Sequence, residues 1–119
     1  HHRAFLRAML QERPVYHRDD ADGLFFVHAG VRPHETLAEM RPEVLLWSRF
    51  PRFMAGDGEP WVEGLRVVHG HTPVAAPDVY GHRVGLDTGA VYGGALSCGV
   101  FDDGALVRVI GVEGLAAKR

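Results

Sequence analysis

Leu24 to Val27 is an unbroken apolar run, closed by His28, Ala29 and Gly30. Four apolar residues halted by a small-residue turn are the pattern of a strand buried on both faces. The pattern predicts a strand over residues 24–28. A second run from Leu65 to His69, closed by Gly70, predicts another over 65–69. Near the start, Phe5 with Met9 and Leu6 with Leu10 pair at i,i+4, which predicts a helix over 2–10 stopped by Pro14. HRDDADG, residues 17–23, reads as a polar turn. Residues 34–47 mix helical signals with Pro42 and predict two short helices, the second carrying Val44, Leu45, Leu46 and Trp47. Glycine and proline make 51–61 a loop. Val79-Tyr80 and Arg83–Asp87 predict a hairpin around Gly81-His82. Ala95–Phe101 and Ala105–Val112 predict a second hairpin, joined by Asp102-Asp103-Gly104. Helices first and strands afterwards predict an α/β (α+β) domain with a largely antiparallel C-terminal sheet.

Composition narrows the partners. With 119 residues, 46% hydrophobic and 24% charged, the chain suits one globular domain. A formal net charge of −2 gives no bulk pull toward nucleic acid or anionic membrane, and neither is expected as a partner. Lys118 is the one lysine among 13 basic residues. Arginine suits bidentate phosphate recognition, but genomic base composition is the better explanation of the bias. Cys98 is the single cysteine, which excludes an intrachain disulfide and points to a reducing, cytoplasmic setting. On a strand, it reads as a buried, inert thiol. The apolar runs are too short to span a bilayer, and HHRAFLRAML has no signal-peptide pattern. His1 and His2 are the end of a tag or native residues.

Eight histidines are the main supply of chemistry. His17, His34 and His82 stand among polar or turn residues and read as solvated. His28, His69 and His71 each follow an apolar run. Small residues after them allow sharp turns and close approach of an ion or phosphate. Imidazole at a strand end suits a borderline divalent metal. It also suits a hydrogen-bonded structural role, and spacing alone does not choose. Trp47 and Trp61 read as packing residues, because no basic aromatic stripe surrounds them. CxxC, GxSxG and P-loop motifs are absent.

The wording of four motifs adds to this. FVHAGVRP, LLWSRF, VVHGHTP and LDTGAVYGG occur in that order. Together they resemble the C-terminal half of calcineurin-like metallophosphoesterases, over roughly residues 5–112. The bacterial serine/threonine protein phosphatases and symmetrical diadenosine tetraphosphatases are the subgroup most resembled. The resemblance implies part of a four-layer β-sandwich flanked by helices. It implies two divalent ions, Mn²⁺ first with Fe or Zn as alternatives, that polarise a phosphoryl oxygen and supply hydroxide for in-line attack. His28 and His71 inherit the role of metal ligands. Arg49 and Tyr92 inherit places near the phosphate. His69 matches no ligand position; it is a supporting or substrate-facing residue, or a packed strand histidine.

The family's N-terminal motifs, DxH, GDxxDRG and GNHE, are not in this sequence, which contains no asparagine. No catalytic acid or base is therefore expected in this chain. The resemblance implies a second half of one domain, inactive without an N-terminal half as partner. Its substrate would be a phosphoserine or phosphothreonine protein, or alternatively a dinucleoside polyphosphate. A remnant or regulatory module without catalysis is the other alternative. A half-sandwich would also leave apolar surface on parts of Phe25, Val67 and Leu86.

Overall fold

The computed structural model describes residues 2–4, 15–33, 35–49 and 62–114. Residues 2–4 are helical. The rest of the expected first helix, the 51–61 loop, His34 and Trp61 lie outside the described residues.

Among the described residues, seven strands and the helix at Pro42–Trp47 position the site. Strand β1 is Tyr16–Asp19, β2 is Leu24–Val27, β3 is Arg66–His69, β4 is Asp78–Val79 and β5 is Arg83–Gly85. They form one sheet in the order β1-β2-β3-β5-β4. The three central strands run parallel, with Phe25 opposite Val67 and Val68 opposite Val84. The edges, β1 and β4, are antiparallel. Helix α1, Pro42–Trp47, lies in the connection between β2 and β3. Such a crossover is what parallel neighbours require. Proline fits the first helical turn, where its missing N–H would have no intrahelical partner.

Three expectations change here. Residues 17–23 are not all turn: 16–19 pair with β2, and only 20–23 turn back. Tyr16 stacks on Phe25 with ring centroids 5.0 Å apart, so one inward aromatic anchors an otherwise polar edge strand. The 79–87 hairpin forms as β4 and β5, but β5 also joins β3 in parallel, so the centre of the sheet is not antiparallel. Of the two helices expected over 34–47, α1 is the one that forms among the described residues. Residues 36–40 make a single turn, with the Met40 amide donating to the Thr36 carbonyl at 3.2 Å. Pro42 cannot donate into a continuing helix, so the chain restarts there.

Alternation along the strands decides what is buried. Phe25 and Val67 face a core of Val31, Leu45, Val62 and Leu65, and both are fully buried. They are thus not the exposed apolar surface expected of a half-sandwich. His82 is also buried rather than solvated, stacked on Tyr80 at 5.9 Å.

Strands β6, Leu96–Asp102, and β7, Ala105–Val112, form a two-stranded antiparallel ribbon. It folds back over the other face of the main sheet. Phe101 meets Phe26 edge-on at 6.2 Å, and a Cβ on Gly99 would come within 3.1 Å of the Leu86 side chain. The outer face of the ribbon leaves Leu96, Ile110 and Val112 exposed. Cys98 is exposed on the same face, contrary to the buried thiol expected. No helix among the described residues is long and apolar enough to cross a membrane.

Candidate functional site

The parallel register carries the strand ends to one place. Beyond the last ladder pairs, the Gly70 amide donates to the His28 carbonyl at 2.8 Å, and the Leu86 amide to the His69 carbonyl at 2.9 Å. His28, His71 and Asp87 therefore stand together at the carboxyl ends of β2, β3 and β5. In open sheets with parallel strands, ligands bind outside these ends. An open cleft of about 820 Å³ lies here, lined by Phe26, Val68 and Leu86 and, at the strand ends, by His28, His71 and Asp87.

The two histidines meet. His28 Nε2 and His71 Nδ1 are 3.2 Å apart, with ring centroids 5.0 Å apart. His71 reaches this position through an unusual backbone. Its φ is 65°, and the Thr72 amide bonds back to the Gly70 carbonyl at 2.8 Å. That is a γ-turn of the rare positive-φ kind, centred on a residue with a side chain. Such strain costs on the order of 1–3 kcal/mol and clusters at functional sites.

His69 occupies different surroundings. Its Nδ1–H donates to the Gly70 carbonyl at 3.1 Å, and its Nε2 accepts from Arg83 Nη1 at 3.1 Å. Arg83, itself buried, pairs through Nη2 with Asp78 Oδ2 at 3.1 Å and lies 4.6 Å over the Tyr80 ring. Burial pushes the His69 imidazole down to about 4, Arg83 adds to that, and the Gly70 carbonyl opposes it. A Cβ at position 85 would stand 3.3 Å from the His69 ring, so glycine in β5 makes room for it. His69 thus braces the backbone just before His71.

Arg49 is exposed, two residues beyond α1. Tyr92 lies in the 3-10 turn Ala90–Tyr92 and is 79% exposed, while its neighbours Ala90 and Val91 line the cleft. Neither has a resolved partner at the histidine pair.

Two residues were missed from sequence. Asp87 ends an apolar run just as His28 does, and that shared pattern was the available signal. Its Oδ1 accepts the Gly89 amide at 3.0 Å. Trp47, expected from the sequence to pack, is 71% exposed and meets the His71 ring edge-on at 5.8 Å. It ends a helix whose buried residue is Leu45, so its own position falls off the core-facing stripe.

Among the described residues, no three His, Cys, Asp or Glu side chains converge to hold a metal ion. His28 and His71 bring two ring nitrogens together, and no third such side chain joins them among the described residues.

Comparison with known proteins places this geometry in context. The chain is 35% identical over 106 residues to the asymmetrical bis(5'-nucleosyl)-tetraphosphatase PrpE of Geobacillus thermodenitrificans (strain NG80-2), covering 80% of this chain and 42% of that protein. It is 33% identical over 100 residues to the protein of the same name from Bacillus cereus (strain ATCC 10987 / NRS 248), covering 75% of this chain and 40% of that protein. The Bacillus anthracis (strain A0248) protein of that name is 32% identical over 100 residues, with the same coverage of 75% and 40%. The chain spans about two fifths of the length of these curated relatives. No protein-family model matches it. No solved structure matches it at a significant level.

Proposed function

We propose that this chain carries one side of the active site of a metal-dependent hydrolase of bis(5'-nucleosyl) tetraphosphates, with His28 and His71 holding one divalent ion. The observation that carries the reading is the 3.2 Å separation of His28 Nε2 and His71 Nδ1. Two nitrogens, each about 2.0–2.1 Å from one ion, stand about 2.9–3.4 Å apart in octahedral or tetrahedral geometry. The separation of the pair suits a shared ion, which would take the place of the hydrogen bond now joining the two rings. The strained turn at His71 and the position at the ends of parallel strands support the same reading.

An ion held by His28 and His71, Mn²⁺ first with Fe or Zn as alternatives, would supply polarisation of a phosphoryl oxygen and a hydroxide near neutral pH. The chain's own residues set up that chemistry. His28 and His71 must be neutral to present their lone pairs. His69 and the Gly70–His28 hydrogen bond hold the strand end that aims His71. Arg49, two residues beyond α1, is a candidate to offset charge on the phosphate, and Tyr92 is a second candidate for that side. In this reading the two sheets are part of a four-layer sandwich, and residues outside this chain complete the ligand set and supply the acid or base.

The names of the relatives favour a nucleotide substrate over a phosphoserine or phosphothreonine protein. They also read asymmetrical, in place of the symmetrical type that the motifs resemble. Unequal hydrolysis of a four-phosphate chain yields a nucleoside monophosphate and a triphosphate.

The test uses the full-length protein with Mn²⁺ and diadenosine tetraphosphate, the products being separated by anion-exchange chromatography. AMP and ATP in equal amounts are expected, lost in His28→Ala and His71→Ala. Two molecules of ADP would overturn the asymmetrical assignment. Turnover of a phosphoserine peptide alone would overturn the nucleotide reading.

A further inference from the structure

We infer that Trp47 is the platform on which a nucleobase of the substrate stacks while its phosphates lie at His28 and His71. The inference rests on the nucleotide reading above and adds the residue that would select for it.

Large aromatic side chains are usually well buried, because they carry the largest hydrophobic gain per residue. Trp47 is 71% exposed. Its location is set by packing beneath it: Leu45 is buried, and the Leu45 carbonyl accepts the Ala29 amide at 2.9 Å. Ala29 directly follows His28, so the indole is tied to the backbone of one histidine. It touches the ring of the other, at 5.8 Å between centroids and 89° between planes. A perpendicular contact engages at most one face of the indole, and the exposure shows that much of the ring is open to solvent. The site thus offers a π-face within one ring contact of the two imidazoles.

A dinucleoside polyphosphate matches that juxtaposition, because each of its phosphate chain ends leads through a ribose to a flat, aromatic base. Base-on-aromatic stacking depends on the π-face rather than on hydrogen bonds, so one tryptophan suits more than one base. An aromatic or apolar side chain of a phosphopeptide could meet the same indole. The relatives' names favour the base.

The experiment compares Trp47→Ala and Trp47→Phe with wild type in the full-length protein. The first readout is the ratio of kcat/KM for diadenosine tetraphosphate to that for inorganic tripolyphosphate, which has no base. In Trp47→Ala this ratio is expected to fall between about 5- and 150-fold, the loss sitting in KM, with most of it restored in Trp47→Phe. The second readout needs neither metal nor turnover: quenching of tryptophan fluorescence by AMP in chelator-treated protein. It should be present in wild type and lost in Trp47→Ala. A ratio within twofold of wild type, or quenching unchanged in Trp47→Ala, would overturn the inference. Wild type that hydrolyses a phosphopeptide and not the nucleotide sinks the functional reading and this inference together. Nucleotide turnover with an unchanged ratio sinks the inference alone.

Discussion

The Ala29 amide donates to the Leu45 carbonyl at 2.9 Å, joining the residue after His28 to the helix that carries Trp47. Leu45 is 5% exposed and packs in the core beneath. Leu45→Ala should cost about 2–5 kcal/mol of stability. Thermal melts would show this as a lowered Tm. A melt indistinguishable from wild type would mean that the helix is not anchored through this side chain.

Removing either member of the histidine pair should remove the ion. His28→Ala and His71→Ala should each lower turnover by more than the about 10–100-fold typical of a residue that only supports a ligand. His69→Ala should stay within that smaller range. Calorimetric titration of the full-length variants with Mn²⁺ or Zn²⁺ checks the cause. Wild-type affinity in both His28→Ala and His71→Ala would refute the shared-ion geometry.

The neutral His69 imidazole makes stability depend on pH. Its folded value is pushed down to about 4 from an ordinary 6.5. Between these values the unfolded chain binds a proton that the folded chain refuses. Stability is therefore fully present above about pH 6.5 and declines as pH falls toward about 4. The upper size is about 3 kcal/mol. Urea midpoints of chelator-treated protein at neutral pH and at about pH 4.5 measure it, with carboxylates adding a background slope. His69→Gln should flatten the profile; an unchanged slope in that variant would remove His69 as the cause.

Gly104 has φ +80°, and a Cβ there would collide with the Asp22 carbonyl. The turn of the β6–β7 ribbon therefore rests on the turn between β1 and β2. Gly104→Ala should destabilise by on the order of 2 kcal/mol or more, from backbone strain together with the clash. Gly111, with nothing within 4 Å of a built Cβ, is the control and should accept alanine with little change. Equal effects at both positions would argue against the packed turn.

How much of this was legible follows from particular residues. His28 and His71 were legible because each comes after an unbroken apolar run and near a glycine, and β6 and β7 because fifteen or so residues of apolar alternation surround Asp103-Gly104. Strand β1 was hidden: Tyr-His-Arg-Asp has one inward residue, and an edge strand needs no more. The parallel partner of β5 was hidden because Arg83–Gly85 is three residues long and its hairpin with β4 already explained it. The burial of His82 and the exposure of Trp47 were illegible for one reason. They depend on which side of an element faces a neighbour, and short elements give the period too few repeats to fix a face.

The three hairpins, β1–β2, β4–β5 and β6–β7, join segments that are adjacent in the chain. The pairing of Phe25 with Val67 instead closes a loop of about forty residues, an entropic cost met before any contact rewards it. Contacts of such long sequence separation slow folding. The hydrogen bond from Gly70 to His28 lies at the end of that same ladder. The chain can close every hairpin and still hold its two imidazoles apart. Their meeting is expected late in folding, so a probe that reports on the pair, such as a ring-proton signal in a refolding time course, should lag the circular dichroism of the sheets.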